Sequence, residues 1–283
     1  MKNKVVIKKP KNFIISQIAD SGQTFRWDEN FDGSYTIIAF NKAIRIFNDN
    51  EDIVIEGINE LEFENTFKNY LDLNRDYQLV IDELKNKDKN LDEALVYGSG
   101  IRILNQDTWE MIISFIISGN NNIPRIKNSI NVLSERYGKF IKEIDGKRLY
   151  SFPTPEELSV ATIENLRECG LGYRDKYIYN TTKMIINKDI DLSDIKNMDI
   201  DEARIELVKL MGVGNKVADC IMLFSLNKSN SFPVDTWVKK ILKDYYNFDE
   251  KNNKKINEFA NDYFGKYAGI AQQYLFNYIR NKK

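Results

Sequence analysis

The chain has 283 residues, 42% of them hydrophobic, and its 41 lysine and arginine residues nearly balance 42 aspartate and glutamate residues for a net charge of −1. This length fits two domains, or one large domain with an annex. The mean hydropathy of −0.47 and the lack of a long apolar run exclude a membrane-spanning helix.

Histidine and cysteine usage restricts the chemistry. The chain contains no histidine, which excludes Ser-His-Asp and Cys-His catalysis and His-ligated zinc sites. Its two cysteines, Cys169 and Cys220, are too few for a multi-disulfide scaffold or a four-cysteine iron–sulfur cluster. We therefore expect a cytoplasmic protein that relies on Lys, Asp, Glu, Tyr or Cys for proton transfer and nucleophilic attack.

The first sixty residues carry the alternation and turn signals of strands. Residues 34–40 and 43–47 flank Asn41-Lys42 and predict a β-hairpin. Two further strands are predicted at 25–27 and 52–56. The basic segment 1–11 lacks the apolar core of a secretory signal, and we expect it to be a frayed tail.

From about residue 59 the apolar period becomes helical. Two amphipathic helices, 59–70 and 77–85, are expected to pack against the sheet. Further helices are predicted at 107–117, 123–137, 162–168, 172–187, 199–209, 214–226, 235–246, 254–264 and 269–280. The sequence thus predicts an α+β protein, with an antiparallel-sheet domain over residues 1–98 and a mostly helical domain over 99–283.

Charge is distributed unevenly along the chain. Residues 204–283 hold 14 Lys and Arg against 8 Asp and Glu, a net of +6, so the remainder carries −7. A basic segment of this kind indicates a nucleic-acid-binding surface. Solvated helix faces are the simpler explanation, and residues 251–255 fit it.

Lys216 follows the turn Gly212-Val213-Gly214, which opens an apolar helix. With the helical stretch before it, this turn predicts a helix–hairpin–helix at about 203–226, whose backbone N–H groups suit a DNA phosphate. The helix dipole and burial would both lower the pKa of Lys216, so we expect a neutral, nucleophilic amine. An ordinary helix–helix turn with a solvent-facing lysine is the alternative.

Six motifs run through almost the full chain in a distinctive order. They are Ser21-Gly22-Gln23-Thr24-Phe25-Arg26-Trp27, Asn120-Asn121-Asn122-Ile123-Pro124-Arg125, Gly170-Leu171-Gly172-Tyr173-Arg174, the Lys216 stretch, Pro233-Val234-Asp235, and Tyr267-Ala268-Gly269-Ile270-Ala271-Gln272. Together they resemble the 8-oxoguanine branch of the helix–hairpin–helix DNA glycosylases. The resemblance implies the same two-part layout, a cleft between helical subdomains, and damaged duplex DNA as the partner.

The resemblance assigns catalysis to Lys216 and Asp235. Loss of a base from C1′ builds positive charge on the sugar, which a carboxylate stabilises, and a positioned amine can attack C1′. Lys216 would then form a Schiff base with the opened sugar, and β-elimination would nick the strand. Asp235 also stands where a helix N-cap is expected, and the two roles are compatible because a capping carboxylate is well oriented.

The flipped base needs a pocket that reads its edges. The resemblance implies that the Gly22 carbonyl accepts the N7–H of 8-oxoguanine, that Gln272 binds the Watson–Crick edge, and that Cys220 and Phe276 sandwich the base. Without the resemblance, these four residues would be interpreted as a turn glycine, a surface glutamine and two core side chains.

Other matched residues lie outside the base pocket. Asn120 matches the residue that fills the gap left by the flipped base, although its asparagine run also fits a simple helix end. Arg125 and Arg174 match the pair that recognises the opposite cytosine, and Tyr173 matches a wedge beside it. Trp237 stands where eukaryotic members carry a phosphate-binding histidine, a departure from the family pattern.

The resemblance implies no cofactor for the chemistry. The backbone carbonyls of Leu210 and Val213 are candidate ligands of a structural cation at the hairpin. We expect a monomer of the bacterial type. Two alternatives are an alkylpurine glycosylase, which would lack Lys216, and a non-catalytic DNA-binding protein, which would not explain Lys216, Asp235 and Gln272 together.

Overall fold

The computed structural model describes residues 3–144 and 146–281. Its main sheet is antiparallel and has the strand order β1-β5-β4-β3-β2. The strands are β1 (Lys4–Lys8), β2 (Trp27–Glu29), β3 (Tyr35–Ala39), β4 (Lys42–Asp49) and β5 (Asp52–Glu56). The predicted hairpin is present, but its turn is Phe40-Asn41, one residue earlier than the predicted Asn41-Lys42, because Lys42 pairs with Ala39 at the start of β4. A second, unpredicted hairpin consists of β6 (Phe140–Ile144) and β7 (Lys147–Tyr150).

The expected frayed N-terminal tail is wrong. β1 pairs with β5 from Lys4–Glu56 to Lys8–Asp52, and Val5 is buried in the sheet core. The sequence did not indicate this strand, because it is short and has a lysine at each end. Lysines are common on edge strands because they discourage pairing with other chains. Residues 1 and 2 lie outside the described residues.

Helices make up most of the remaining chain. They are α1 (Ile15–Asp20), α2 (Glu60–Glu62), α3 (Lys68–Tyr70), α4 (Tyr77–Leu84), α5 (Lys89–Tyr97), α6 (Thr108–Ser118), α7 (Ile123–Tyr137), α8 (Pro155–Leu158), α9 (Ile163–Leu166), α10 (Asp175–Ile186), α11 (Leu192–Asn197), α12 (Ile200–Leu207), α13 (Asn215–Ser225), α14 (Thr236–Tyr246), α15 (Asn253–Phe264) and α16 (Ala268–Asn281). π-Helical turns join α2 to α3 (Phe63–Phe67) and follow α9 (Arg167–Leu171). The sequence did not predict α1, α5, α8 or α11, which are short or mostly polar.

Two large hydrophobic cores lie within the described residues, and a small third cluster of Ile38, Ala43 and Leu149 joins the main sheet to the second hairpin. The first lies beneath the sheet, where Ile37, Ile44 and Ile55 pack with Phe63 and Phe67, as expected for residues 59–70. The second fills the helical body.

α4 belongs to the helical core. Tyr77, Val80 and Leu84 pack there together with α5 and α16, so the expectation that residues 77–85 cover the sheet is wrong. The helical core therefore reaches back across the predicted division at residues 98 and 99, and that boundary stays a prediction.

α6 forms the centre of the helical core. All its residues from Trp109 to Ile117 are buried, which confirms the prediction of a buried core helix there. Asp107 begins the helix by accepting a hydrogen bond from the Glu110 N–H at 2.8 Å. Within the described ranges, no helix has both the length and the apolar character needed to cross a bilayer.

Candidate active site

α12 and α13 form the predicted helix–hairpin–helix. The Leu210 carbonyl accepts a hydrogen bond from the Val213 N–H at 3.0 Å, and Gly212 completes the turn with a φ of +88°. A Cβ on Gly212 would lie 2.9 Å from the Tyr177 side chain, whereas a Cβ on Gly214 would meet nothing within 4 Å. Gly214 therefore presents open backbone at the start of α13, as binding of a phosphate requires.

A buried ion pair joins the two helices of this hairpin. The Arg204 guanidinium donates to Asp219 at 3.1 and 3.0 Å, and Ser231 donates to the Asp219 carbonyl at 3.1 Å. Burial raises the pKa of Asp219 to about 6, although Arg204 opposes the shift. Asp219 thus ties the helix that carries Lys216 to the segment that leads to Asp235. Sequence reasoning missed this residue, since only its position three residues after Lys216 marks it.

Lys216 and Asp235 line one small cavity of about 60 Å³. The cavity also brings together the four predicted base-contacting residues, Gly22, Cys220, Gln272 and Phe276. Five further lining residues were not predicted: Ser21, Phe115, Phe224, Pro233 and Gln273. Residues from the first, middle and last parts of the chain therefore line the same cavity.

The surroundings of Lys216 favour its ammonium form. Lys216 is half-buried in the first turn of α13, with Nζ 5.2 Å from the centroid of the Phe115 ring, a cation–π contact. The pKa of Lys216 is raised, mainly by the adjacent Cys220 and further by Asp235, while burial opposes the shift. For the protein without DNA, this direction is opposite to the expected lowering of the Lys216 pKa.

Cys220 is fully buried against Lys216. Burial raises the pKa of its thiol to about 11, so the thiol is neutral at neutral pH. At neutral pH the Cys220 thiol can therefore stabilise the Lys216 ammonium only by accepting a hydrogen bond. Asp235 is then the anionic partner of Lys216. The site therefore holds a positive and a negative side chain around one neutral thiol.

Asp235 is both a helix cap and a wall of the cavity. Its carboxylate accepts a hydrogen bond from the Val238 N–H at 2.8 Å and so begins α14. The N-cap interpretation from the sequence is therefore correct. The cap fixes the orientation of the carboxylate while leaving it at the cavity surface.

Two buried glutamines fix the loop that carries Gly22. Gly22 has a φ of +81°, which favours glycine. The Gln23 amide donates to Ser21 Oγ at 2.7 Å and accepts from the Leu104 N–H at 2.7 Å. On the other side, the Gln273 amide donates to the Ser21 carbonyl. Gln23 and Gln273 are positioning residues that the sequence analysis did not identify, although both lie in or next to the quoted motifs.

Gln272 offers the cavity a free acceptor. Its side chain is 6% exposed, and its Oε1 atom has no hydrogen-bond partner among the described residues. An unsatisfied buried acceptor costs about 1–3 kcal/mol, so an N–H donor entering the cavity would be stabilised there.

The four residues predicted to contact DNA outside the base pocket differ in their exposure to solvent. Asn120 is exposed, with a φ of +49°, and Arg125 is exposed near the start of α7. The Arg174 guanidinium is instead buried, lies 4.4 Å from the Tyr173 ring centroid, and donates to the carbonyls of Gly119 and Asn120. In this structure Arg174 therefore caps the C-terminus of α6, while Arg125, Asn120 and Tyr173 face solvent.

Two family models together match most of the chain. Residues 5–112 match the model described as 8-oxoguanine DNA glycosylase, N-terminal domain, and residues 113–266 match the HhH-GPD superfamily base excision DNA repair protein. An N-glycosylase/DNA lyase of Saccharomyces cerevisiae is 33% identical over 312 residues, covering 93% of this chain and 82% of the relative.

Solved structures agree with these matches. The apo-form of the Clostridium acetobutylicum 8-oxoguanine glycosylase/lyase is 46% identical, with a TM-score of 0.94, covering 98% of this chain and 97% of that chain. The same enzyme in complex with dsDNA containing cytosine opposite 8-oxoG also gives a TM-score of 0.94, at 45% identity, covering 99% and 96%. The chain therefore belongs to the 8-oxoguanine DNA glycosylase family of the HhH-GPD superfamily.

Proposed function

We propose that this protein excises 8-oxoguanine from duplex DNA, preferentially opposite cytosine, and then nicks the abasic site. One observation carries the proposal: Lys216, Asp235 and the unpaired acceptor of Gln272 line a single cavity. The solved relative from Clostridium acetobutylicum is a glycosylase/lyase, and its complex with dsDNA containing cytosine opposite 8-oxoG supports the substrate.

Capture of the base requires the cavity to widen. At about 60 Å³ it holds a few water molecules and is smaller than a purine. Phe276 is half-buried and forms the wall of the cavity on the solvent side. We expect this side chain to move when the base enters. The Gln272 acceptor suits the N–H groups on the Watson–Crick edge of a guanine. The Gly22 carbonyl would accept the N7–H that distinguishes 8-oxoguanine, worth about 1–3 kcal/mol.

Base entry also prepares Lys216 for attack. A neutral base that expels water increases desolvation, which already opposes the raised pKa of Lys216. The neutral amine then attacks C1′, the base leaves with the electron pair of the glycosidic bond, and the proton lost by the attacking nitrogen neutralises the departing base. Asp235 stabilises the positive charge that develops on the sugar. The Schiff base formed after ring opening permits β-elimination and strand cleavage.

Borohydride trapping tests this mechanism. The protein is incubated with a duplex that contains one 8-oxoguanine, the mixture is reduced, and the covalent complex is quantified. Wild-type protein should be trapped and Lys216→Gln should not. Trapping of Lys216→Gln would assign the nucleophile elsewhere, and absence of both trapping and base release from the wild type would favour a non-catalytic DNA-binding protein.

A second variant separates base reading from sugar chemistry. Gln272→Ala should weaken excision of 8-oxoguanine while leaving cleavage of a preformed abasic site largely intact. Equal loss of both activities would contradict a base-reading role. Excision of alkylated purines in preference to 8-oxoguanine would favour the alkylpurine branch.

The proposal needs no cofactor for catalysis. The Leu210 carbonyl accepts the hydrogen bond from the Val213 N–H, and a carbonyl oxygen has a second lone pair for a cation. A cation held there by the carbonyls of Leu210 and Val213 would add positive charge where the hairpin meets a phosphate. We further propose that the protein acts as a monomer on DNA in the cytoplasm.

A further inference from the structure

Arg280 borders the base cavity from outside. It lies on α16, one turn after Phe276, and its guanidinium carbon is 5.9 Å from the centroid of the Phe276 ring. Its Nη1 atom would lie 3.6 Å from a Cβ built on Gly22. Arg280 therefore stands at the rim, next to two of the residues that enclose the base.

Two clefts meet at Arg280. One, of about 550 Å³, includes Gly22 and Thr24 in its lining. The other, of about 270 Å³, includes Trp237 and Ile241 at the start of the helix that Asp235 caps. Arg280 lines both clefts and so connects the rim of the base cavity to the surface around Trp237.

The guanidinium of Arg280 is available to a ligand. The side chain is exposed, and within residues 3–144 and 146–281 it makes a cation–π contact with Phe276 but no hydrogen bond or ion pair. Arg204, by contrast, is engaged with Asp219. The guanidinium of an arginine is planar and permanently charged, and its paired N–H donors can bind two oxygens of one phosphate.

Arg280 lies where the proposed DNA complex requires a group that binds phosphate. A base inside the cavity places its sugar at Lys216 and Asp235, so the adjoining phosphates must lie at the rim. Trp237 carries no charge where the resembling family has a histidine. Resting on the proposed function, we infer that Arg280 binds the phosphate next to the flipped nucleotide.

Salt-dependent DNA binding tests this role without requiring catalysis. The probe is a short duplex with one tetrahydrofuran abasic-site analogue opposite cytosine, titrated by fluorescence anisotropy at several salt concentrations. Arg280→Ala should weaken binding about tenfold at low salt. It should also reduce the slope of log affinity against log salt by about 0.9, the value for one lost phosphate contact. Arg280→Lys should retain most of the slope.

Arg148→Ala is the matched control. Arg148 is also exposed and stacks on an aromatic ring, 5.0 Å from the Phe140 centroid, but it lies on β7 away from the base cavity. It should leave the slope unchanged. If wild-type protein fails to bind the duplex, the proposed function fails. If it binds and Arg280→Ala keeps the wild-type affinity and slope, only the role of Arg280 is overturned.

Discussion

Gln273 donates a side-chain hydrogen bond to the backbone carbonyl of Ser21, across 252 positions of the sequence. The bond joins α16 to the loop that carries Gly22. The neighbouring Gln272 faces the cavity from the same helix. The two groups proposed to read the base, the Gly22 carbonyl and the Gln272 amide, are therefore linked through the hydrogen bond between Gln273 and Ser21.

Gln273→Met should disturb base reading more than sugar chemistry. Loss of the buried amide bond leaves the Ser21 carbonyl unsatisfied and should lower the free energy of unfolding by about 1–3 kcal/mol. Excision of 8-oxoguanine should fall more than cleavage of an abasic duplex, as measured by the two rates under single-turnover conditions. Gln78→Met on α4 is the control and should change neither rate. Equal loss of both rates in Gln273→Met would contradict this positioning role.

Alanine at Gly212 and Gly214 should separate folding of the hairpin from DNA binding. Gly212→Ala forces a Cβ into a backbone with φ of +88° and to within 2.9 Å of Tyr177, so it should destabilise the protein by more than about 1 kcal/mol. Gly214→Ala meets no neighbouring atom and should fold almost normally. It should nevertheless weaken DNA binding, because the methyl group blocks the approach of a phosphate to the backbone.

Urea unfolding and DNA titration of both glycine variants provide the measurement. Normal DNA affinity in a stably folded Gly214→Ala protein would show that no phosphate approaches this backbone.

The two arginines proposed to read the opposite base should differ in their effect on stability. Arg174→Ala removes hydrogen bonds to the carbonyls of Gly119 and Asn120 and should cost about 1–3 kcal/mol of unfolding free energy. Arg125→Ala should stay within about 0.5 kcal/mol of the wild type, because the residue is exposed. Arg125→Ala should still reduce the preference for cytosine, measured as excision opposite each of the four bases. An unchanged preference would remove Arg125 from this role.

Glu110 should make stability decrease as pH rises. Burial raises its pKa from 4.5 to about 7, although Arg26 opposes the shift from 4.0 Å away. Between these values the folded state binds more protons than the unfolded state, so rising pH favours unfolding. The loss from this one group is on the order of 3 kcal/mol between pH 4.5 and 7. Urea unfolding of wild type and Glu110→Gln should show the variant gaining relative stability across this range. A relative loss would reverse the sign and contradict the prediction.

Local patterns in the sequence predicted much of the fold. The hairpin of β3 and β4 and the helix over 123–137 carry turn and capping residues next to clear apolar periods, so each could be identified without its neighbours. β1 and α5 could not be identified in this way, because both are short, β1 has a lysine at each end, and the burial of both depends on β5 and α16. Tertiary packing stabilises β1 and α5, and a short window of sequence does not show which distant residues will pack against them.

The sequence by itself determined the chemical groups available: one lysine after a G-x-G turn, an aspartate at a helix start, no histidine, and motifs whose order resembles one glycosylase family. Only the tertiary structure decided that the pKa of Lys216 is raised by Cys220 and Asp235, and that Gln272 Oε1 has no hydrogen-bond partner within the described part of the chain. It also placed the Arg174 guanidinium on the carbonyls at the end of α6, whereas Arg280 makes no hydrogen bond or ion pair among the residues that the structure describes. The physical reason is that pKa and hydrogen-bond availability depend on distances and burial between residues far apart in the chain, which spacing in sequence does not set.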